Sequence, residues 1–374
     1  MDDLIYADNA ATTQLASEAL AAMMPLLQSE YGNASQPYSF ARTAKRVLKK
    51  ARQTIAECIN AFPEEIFFTS GGTESDNWAL KGTMFVRGDQ RALITSQIEH
   101  HAILNSAASI DRMGYPVVYL PVNAEGVVLP ETLQKYITDK TKLVSIMFSN
   151  NEIGSLQPIK ELARIAHQNG SLFHTDAVQA VGHIKIDVKE LDVDMLSASA
   201  HKFNGPKGIG FLYIKAGVTI KPYNDGGSQE SGFRAGTENV AAIAGMAVAL
   251  KMNCDILEEN KRNILDMEKI LLGRLEEAGI DYKRNGAHEH VPGNLSLSFK
   301  DCDGEKLLHR LDLKGICVST GSACDSKRTQ ISHVLRAINL EDDYAMGTIR
   351  ISLGMFNTIE DATTIADAII SIVR

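Results

Sequence analysis

The sequence has no apolar run close to the about 20 residues that a bilayer-spanning helix needs. Its start, MDDLIYADNAATT, is acidic and has neither the basic nor the apolar region of a signal peptide. Neither a membrane protein nor a secreted one is expected, and the reading is cytoplasmic. Cysteine is scarce. Cys58, Cys254, Cys302, Cys317 and Cys324 are odd in number and without CxxC spacing, which argues against a disulfide framework and against a metal site. They read as free thiols, and all but Cys324 as small, inert apolar fillers. Basic charge is in deficit too: Lys and Arg number 38 against 46 Asp and Glu, a formal net charge of -8, which leaves no electrostatic footprint for nucleic acid or an acidic membrane. Internal repeats and low-complexity segments are missing as well.

What is present is apolar and alternating. With 44% hydrophobic residues in 374, the chain can build one substantial core and a second, smaller one. Helical patterns at 17–27 and 39–60, the longer with a solvated basic face, precede a β-rich run at 66–69. Further strand candidates at 92–95, 116–120, 143–148, 172–175, 195–198 and 208–214 bring the main sheet to about seven, mostly parallel because helical or loop stretches separate the early ones. After an Ala-rich helix at 240–252 and a charged one at 258–278 the rhythm changes. Strands at 294–299, 316–319 and 348–353 alternate with helices at 304–313, 331–338 and 359–373, a smaller α+β domain. The expected division is 14–250 for the large domain and 251–374 for the smaller, joined by residues 1–13.

Polar residues recur where strands end. Glu99, His100 and His101 follow one, Asn150, Asn151 and Glu152 another, Asp176 and Gln179 a third. In open α/β sheets these carboxyl ends form the ligand crevice. Ser70-Gly71-Gly72-Thr73 stands between a strand and a helix, where backbone N–H groups and a hydroxyl meet a phosphate, although an N-cap by Thr73 or Ser75 explains the same residues. Asp8 to Thr13 could cap a turn or face a ligand. Lys202, in SASAHKFNGPKGIGFLYI, lies at a crossing between two strands; it is either a loop lysine facing water or an amine activated by burial. The glycine-rich stretch 226–239 reads as an ordered loop that approaches a ligand or partner subunit, with a mobile surface loop as the alternative. Cys324 follows Ser319-Thr320-Gly321-Ser322-Ala323, an exposed setting suited to a reactive thiol, and Arg350 in the strand TIRISL is a candidate carboxylate clamp. A lysine, a strand-end aspartate, a phosphate-cradling turn and a histidine together make a coherent set for pyridoxal phosphate.

The segments YADNAATT, TSGGTESDN, EHHAIL, NNEIGSLQPI, HTDAVQAVGHI, SASAHKFNGPKGIGFLY, RAGTEN, STGSACDS and IRISLG occur in an order that closely resembles the NifS/IscS-type cysteine desulfurases of the class V aminotransferase group, over essentially the whole chain. The resemblance implies a fold-type I pyridoxal-phosphate enzyme: a three-layer α/β/α large domain on a mostly parallel seven-stranded sheet, plus a smaller α+β domain. It implies that Lys202 holds the coenzyme and moves the Cα proton, that His100 stacks on the ring, that Asp176 pairs with the pyridine nitrogen and that Gln179 bonds the ring hydroxyl. Gly72, Thr73, Ser199 and His201 would form the phosphate site, reached by Thr237 from the other subunit of a homodimer. Asn151 and Arg350 would bind the substrate carboxylate, and Cys324 would take the sulfur of L-cysteine as a persulfide, releasing L-alanine. The sulfur acceptor implied is an iron–sulfur scaffold or a transfer-RNA thiolation enzyme. A selenocysteine lyase or aminotransferase would share Lys202 and Asp176 without needing Cys324, and a non-enzymatic scaffold would need neither. Ser231, Asp325 and Met355 depart from residues common in relatives, which bears on acceptor choice, loop electrostatics and rate.

Overall fold

The computed structural model describes residues 4–85, 89, 91–320 and 331–374. Along the chain, β1 (Ile5–Tyr6) leads to helices α1 (Ser17–Gln28) and α2 (Arg42–Cys58), then β2 (Ile66–Thr69), α3 (Gly72–Met84) and β3 (Ala92–Ser96). Next come α4 (His101–Arg112), β4 (Val117–Leu120), α5 (Pro130–Tyr136), β5 (Thr141–Ser145), α6 (Ile159–Gln168) and β6 (Leu172–Asp176). A short α7 (Val188–Leu191) precedes β7 (Met195–Ser199) and β8 (Gly210–Ile214). The remainder comprises α8 (Val240–Asp255), α9 (Leu257–Glu277), β9 (Tyr282–Asn285), β10 (Asn294–Phe299), α10 (Gly304–Asp312) and β11 (Ile316–Cys317). It closes with α11 (His333–Ala337), α12 (Asp342–Ala345), β12 (Thr348–Ser352) and α13 (Ile359–Val373).

Seven strands form one sheet in the order β2-β8-β7-β6-β5-β3-β4. It is parallel from β7 to β4, and only β8 runs against its neighbours β2 and β7. Every residue of β5 and β7 is buried, as expected for parallel strands covered on both faces. Among the covering helices, α2 turns Ala44, Ala51, Ile55 and Ala56 inward and most of its basic residues outward, Arg52 excepted, which pairs with the buried Glu230, whereas α8 is buried around most of its circumference. Its alanines let it lie close between α1 and α2. These features belong to the large α/β domain.

The smaller domain has its own core. Leu295, Leu297 and Phe299 of β10 pack with Ile349 and Ile351 of β12 and with Ile365 and Ile369 of α13, and Ala7 joins them from the amino-terminal segment. Strands β9 and β12 flank β10 antiparallel, and β1 pairs with β11 in parallel. Helix α3 begins at Gly72, six residues ahead of the apolar run that opens at Trp78; Ser75 and Asp76 interrupt that pattern yet are buried in its first turns. One expectation needs correction. The four described cysteines are partly exposed rather than sealed in a core. No single helix among the described residues is long and apolar enough to cross a membrane.

Candidate active site

At the carboxyl end of β7 the small residues Ser197, Ala198 and Ser199 give way to one 3-10 turn, Ala200–Lys202, before the chain returns as β8. Asn204 takes φ +62° there, and its N–H donates to Thr13 Oγ1 at 2.7 Å. The backbone N–H and the hydroxyl of Thr13 both donate to the His201 carbonyl, at 2.8 and 3.0 Å. The amino-terminal segment is thereby laid along the turn, and Lys202 Nζ donates to the carbonyls of Ala10 (2.6 Å) and Ala11 (2.7 Å). On the other side, the Lys202 carbonyl accepts from His183 Nε2 at 2.7 Å.

Facing this turn is the start of α3. Gly71 has φ +146°, a conformation that side chains rarely adopt, and a Cβ on Gly72 would lie 2.6 Å from Val178 Cγ2. The absence of side chains brings the helix's first N–H groups, which have no intrahelical acceptor, to the edge of a cavity of about 570 Å³. Ser199 and His201 border the same end. Asp176, at the tip of β6, lies deeper; its Oδ1 accepts from Val178 N–H at 3.0 Å.

The opposite wall comes from the smaller domain. Arg350 on β12 donates from Nη1 to the Asn151 carbonyl (2.9 Å) and from Nη2 to Asp8 Oδ1 (2.7 Å). Its backbone is paired in both directions with Ser319. Ser332, beyond the undescribed segment 321–330, donates to Glu152 Oε2 at 2.5 Å, and His333 Nε2 donates to the Glu99 carbonyl at 3.1 Å. Ser319 and Ser332, which flank that segment in sequence, are thus tied to Arg350 of the cavity lining and to Glu152 next to it.

Burial governs the electrostatics. It holds the His100 imidazole below its ordinary value, opposed by Asp176, so the ring is neutral. His100 Nδ1 accepts from the Ala102 N–H at 3.1 Å, which leaves the proton on Nε2. Burial, with Lys202 and Lys207 adding repulsion, pushes His201 down to about 4. Burial raises the Asp176 carboxyl, an effect that His100 and Lys202 only partly offset. Burial and the neighbouring Asp176 also raise Asp76, whose Oδ1 has no hydrogen-bond partner among the described residues and lies 3.8 Å from His174 Nε2.

This donor set fits pyridoxal phosphate. A buried carboxyl short of positive partners suits a protonated pyridine nitrogen, the bare start of α3 with Ser199 suits a phosphate, and Lys202 suits the aldehyde carbon.

Ten of the residues singled out in the sequence line this one cavity: Gly72, Thr73, His100, Asn151, Asp176, Gln179, Ser199, His201, Lys202 and Arg350. The Gln179 amide donates to the Ala10 carbonyl at 2.9 Å. Thr237 does not line it; it borders a smaller adjacent cavity that shares Ser70 and Gly208. Cys324 and Asp325 lie outside the described residues. Glu99 is a support rather than a lining group, fully buried and accepting from Ser96 Oγ (2.6 Å) and Met147 N–H (3.0 Å). Asn150 likewise shapes its turn, accepting from the N–H groups of Glu152 (2.8 Å) and Ile153 (3.0 Å). Sequence reasoning missed Asp76 and the role of Asp8 as the Arg350 partner. The polar run DNAATT was the available signal for Asp8; nothing in the sequence pointed to Arg350 as its partner.

The family model for aminotransferase class-V matches residues 5–365. The chain is 44% identical over 371 residues to cysteine desulfurase IscS of Methanosarcina thermophila, covering 99% of this chain and 92% of the relative. It is 41% identical to putative cysteine desulfurase IscS 1 of Bacillus subtilis, covering 99% and 98%. Among solved structures it is similar to a NifS-like protein, with a TM-score of 0.93 at 37% identity and 99% of both chains covered. It is also similar to SspA in complex with cysteine, with a TM-score of 0.84 at 33% identity, 95% of this chain and 100% of that one.

Proposed function

The chain belongs to the class-V aminotransferase family, among its IscS- and NifS-like cysteine desulfurases, and from that premise we propose that its cavity is where pyridoxal phosphate and L-cysteine meet. The protein is a cysteine desulfurase of fold-type I architecture that converts L-cysteine to L-alanine and a persulfide. Bound pyridoxal phosphate supplies the electron sink that lets the substrate Cα–H bond break.

The chain's own residues do the rest. Gly72, Thr73, Ser199 and His201 hold the phosphate, with Thr237 reaching it from the second copy of a homodimer. Asp176 keeps the ring nitrogen protonated, and Gln179 faces the ring hydroxyl. His100, neutral with its proton on Nε2, stacks on the ring and assists proton transfer. Lys202 holds the coenzyme and moves the Cα proton at Nζ. Arg350, oriented by Asp8, and Asn151 orient the substrate carboxylate. Cys324 then takes the sulfur, so that L-cysteine and the Cys324 thiol become L-alanine and a Cys324 persulfide, one C–S bond broken and one S–S bond formed.

We take the acceptor to be an iron–sulfur scaffold or a transfer-RNA thiolation enzyme, and the setting to be cytoplasmic. The domain division at 14–250 and 251–374, with 1–13 joining the smaller domain, is supported by Ala7 in the smaller core and by the 71° bend between α8 and α9.

The observation that carries the reading is that Lys202 Nζ, the Asp176 carboxyl and the start of α3 face one cavity. It is tested by anaerobic incubation of the coenzyme-loaded protein with L-cysteine, followed by amino-acid analysis and peptide mass mapping. The expected result is alanine together with one added sulfur on Cys324. Alanine with an unmodified Cys324 and no labile sulfur on the chain overturns the persulfide assignment.

A further inference from the structure

Two cysteines meet far from the active-site cavity. Cys58 is the last residue of α2 and Cys254 the penultimate residue of α8, and these helices lie side by side. Both side chains are partly exposed, and both line an open cavity of about 600 Å³ whose lining shares no residue with the active-site cavity. Each thiol acts on the other electrostatically across that cavity. Lys251, ion-paired with Asp255 at 2.5 Å, lines the same cavity. The active-site chemistry uses neither cysteine.

The surroundings make the pair unequal. The neighbouring Cys58 thiol lowers the Cys254 thiol below its ordinary value, against the opposing effect of burial, while Cys254 and burial push Cys58 far up. We take Cys254 as the attacking thiol on that ground and because Lys251, one turn before it on α8, lines the same cavity. A disulfide holds its two sulfurs at about 2 Å, and the packing of α2 on α8 sets both cysteines at neighbouring helix ends, where side-chain rotation can bring the sulfurs together.

We propose that Cys58 and Cys254 are a reversible redox pair that a hydroperoxide closes to a disulfide, linking the end of α2 to the end of α8. With hydrogen peroxide, the Cys254 thiolate attacks one oxygen. An S–O bond forms, the O–O bond breaks, and the leaving hydroxide takes up a proton as water, giving the sulfenic acid. Cys58 sulfur then attacks Cys254 sulfur; the S–S bond forms, the S–O bond breaks, and hydroxide leaves as a second water with the Cys58 proton. Two thiols are oxidised and one peroxide is reduced to two waters. Cys254 stands two residues before Ile256, where α8 gives way to α9 across the 71° bend, so the bridge would tether that bend to a helix of the large domain.

The test uses reduced, full-length, coenzyme-loaded protein exposed to a slight excess of hydrogen peroxide. Remaining thiols are alkylated, and peptides are mapped without reductant. A cross-linked peptide joining Cys58 to Cys254, two hydrogens lighter than its parts and released by dithiothreitol, is expected. In Cys58→Ser the Cys254 sulfenic acid, lacking its resolving thiol, is captured by dimedone, and in untreated protein iodoacetamide modifies Cys254 at least about tenfold faster than Cys58. Recovery of Cys58 and Cys254 on separate alkylated peptides after peroxide, or of Cys254 cross-linked only elsewhere, overturns the proposal. The wild-type map decides the matter even if Cys58→Ser does not fold.

Discussion

The two walls of the active-site cavity are built on different principles. The sheet-side wall takes Asp176, Ser199, His201 and Lys202 from the ends of adjacent parallel strands, and Gly72 from the helix that follows β2. Its geometry is inherited from backbone ladders that would exist without any ligand. The wall of the smaller domain is held by side chains far apart in the sequence: Asp8 with Arg350, Arg350 with the Asn151 carbonyl, Ser332 with Glu152. A wall made of ladders can be damaged only at its chemical groups, whereas a wall made of clasps can be loosened by degrees. On the function proposed above, the first would define the coenzyme class and the second would adapt it to one substrate and one reaction.

The sharpest blow to this contrast is Lys202→Ala. It should lower alanine formation from cysteine by at least about 10³-fold and abolish the visible absorbance of bound coenzyme, read in one spectrophotometric titration. If both survive, the sheet-side wall is not the coenzyme wall. Cys324→Ala should keep the absorbance and lose about 10²-fold in multiple-turnover desulfuration, so full turnover would overturn its role as sulfur acceptor. Arg350→Gln should raise KM for cysteine by about 10-fold or more without bleaching the coenzyme. Asp8→Asn should raise it only a few-fold and cost about 2 kcal/mol in urea unfolding, since it leaves a largely buried cation with a neutral partner. Equal effects of the two on KM would mean that Asp8 does more than orient Arg350.

The smallest expected effect is on pH dependence. Burial raises the Glu152 carboxyl to about 7 and that of Glu99 to about 8, so near neutral pH the folded chain holds protons that the unfolded chain has released. The stability this contributes is fully present below the ordinary carboxylate value and is lost as pH rises through 7 and 8. Glu152→Gln should flatten part of that slope, reducing the fall in Tm between pH 5 and pH 8 by roughly 2 °C in calorimetric scans. Parallel pH profiles for variant and wild type would show that the clasp at Ser332 does not titrate.

Legibility followed the same divide. Lys202, Asp176 and Gly72 stand in short contiguous motifs whose strand–turn–helix context is local, so the amino-acid order alone places them. Strand β9 escaped because Tyr282, Lys283, Arg284 and Asn285 show no apolar alternation; its place is secured by β10 rather than by its own propensity. The early start of α3 was hidden because Ser75 is satisfied by tertiary partners, Thr69 Oγ1 at 2.8 Å and the Phe211 carbonyl at 3.1 Å. Cys58 and Cys254 read as inert because only the packing of α2 on α8 brings them within reach. No local pattern encodes a contact between residues 196 positions apart.

The amino-terminal segment also sets a clock. Asn9 and Ala10 are held by Ser352, and Ala10 and Ala11 accept from Lys202, so this segment depends on residues 192 and 342 positions further along. Until Ser352 is made, the segment has only the His201 and Lys202 half of its seat. The nascent enzyme should therefore stay catalytically silent until Ser352 has cleared the exit tunnel, which would keep sulfur chemistry away from an unfinished polypeptide.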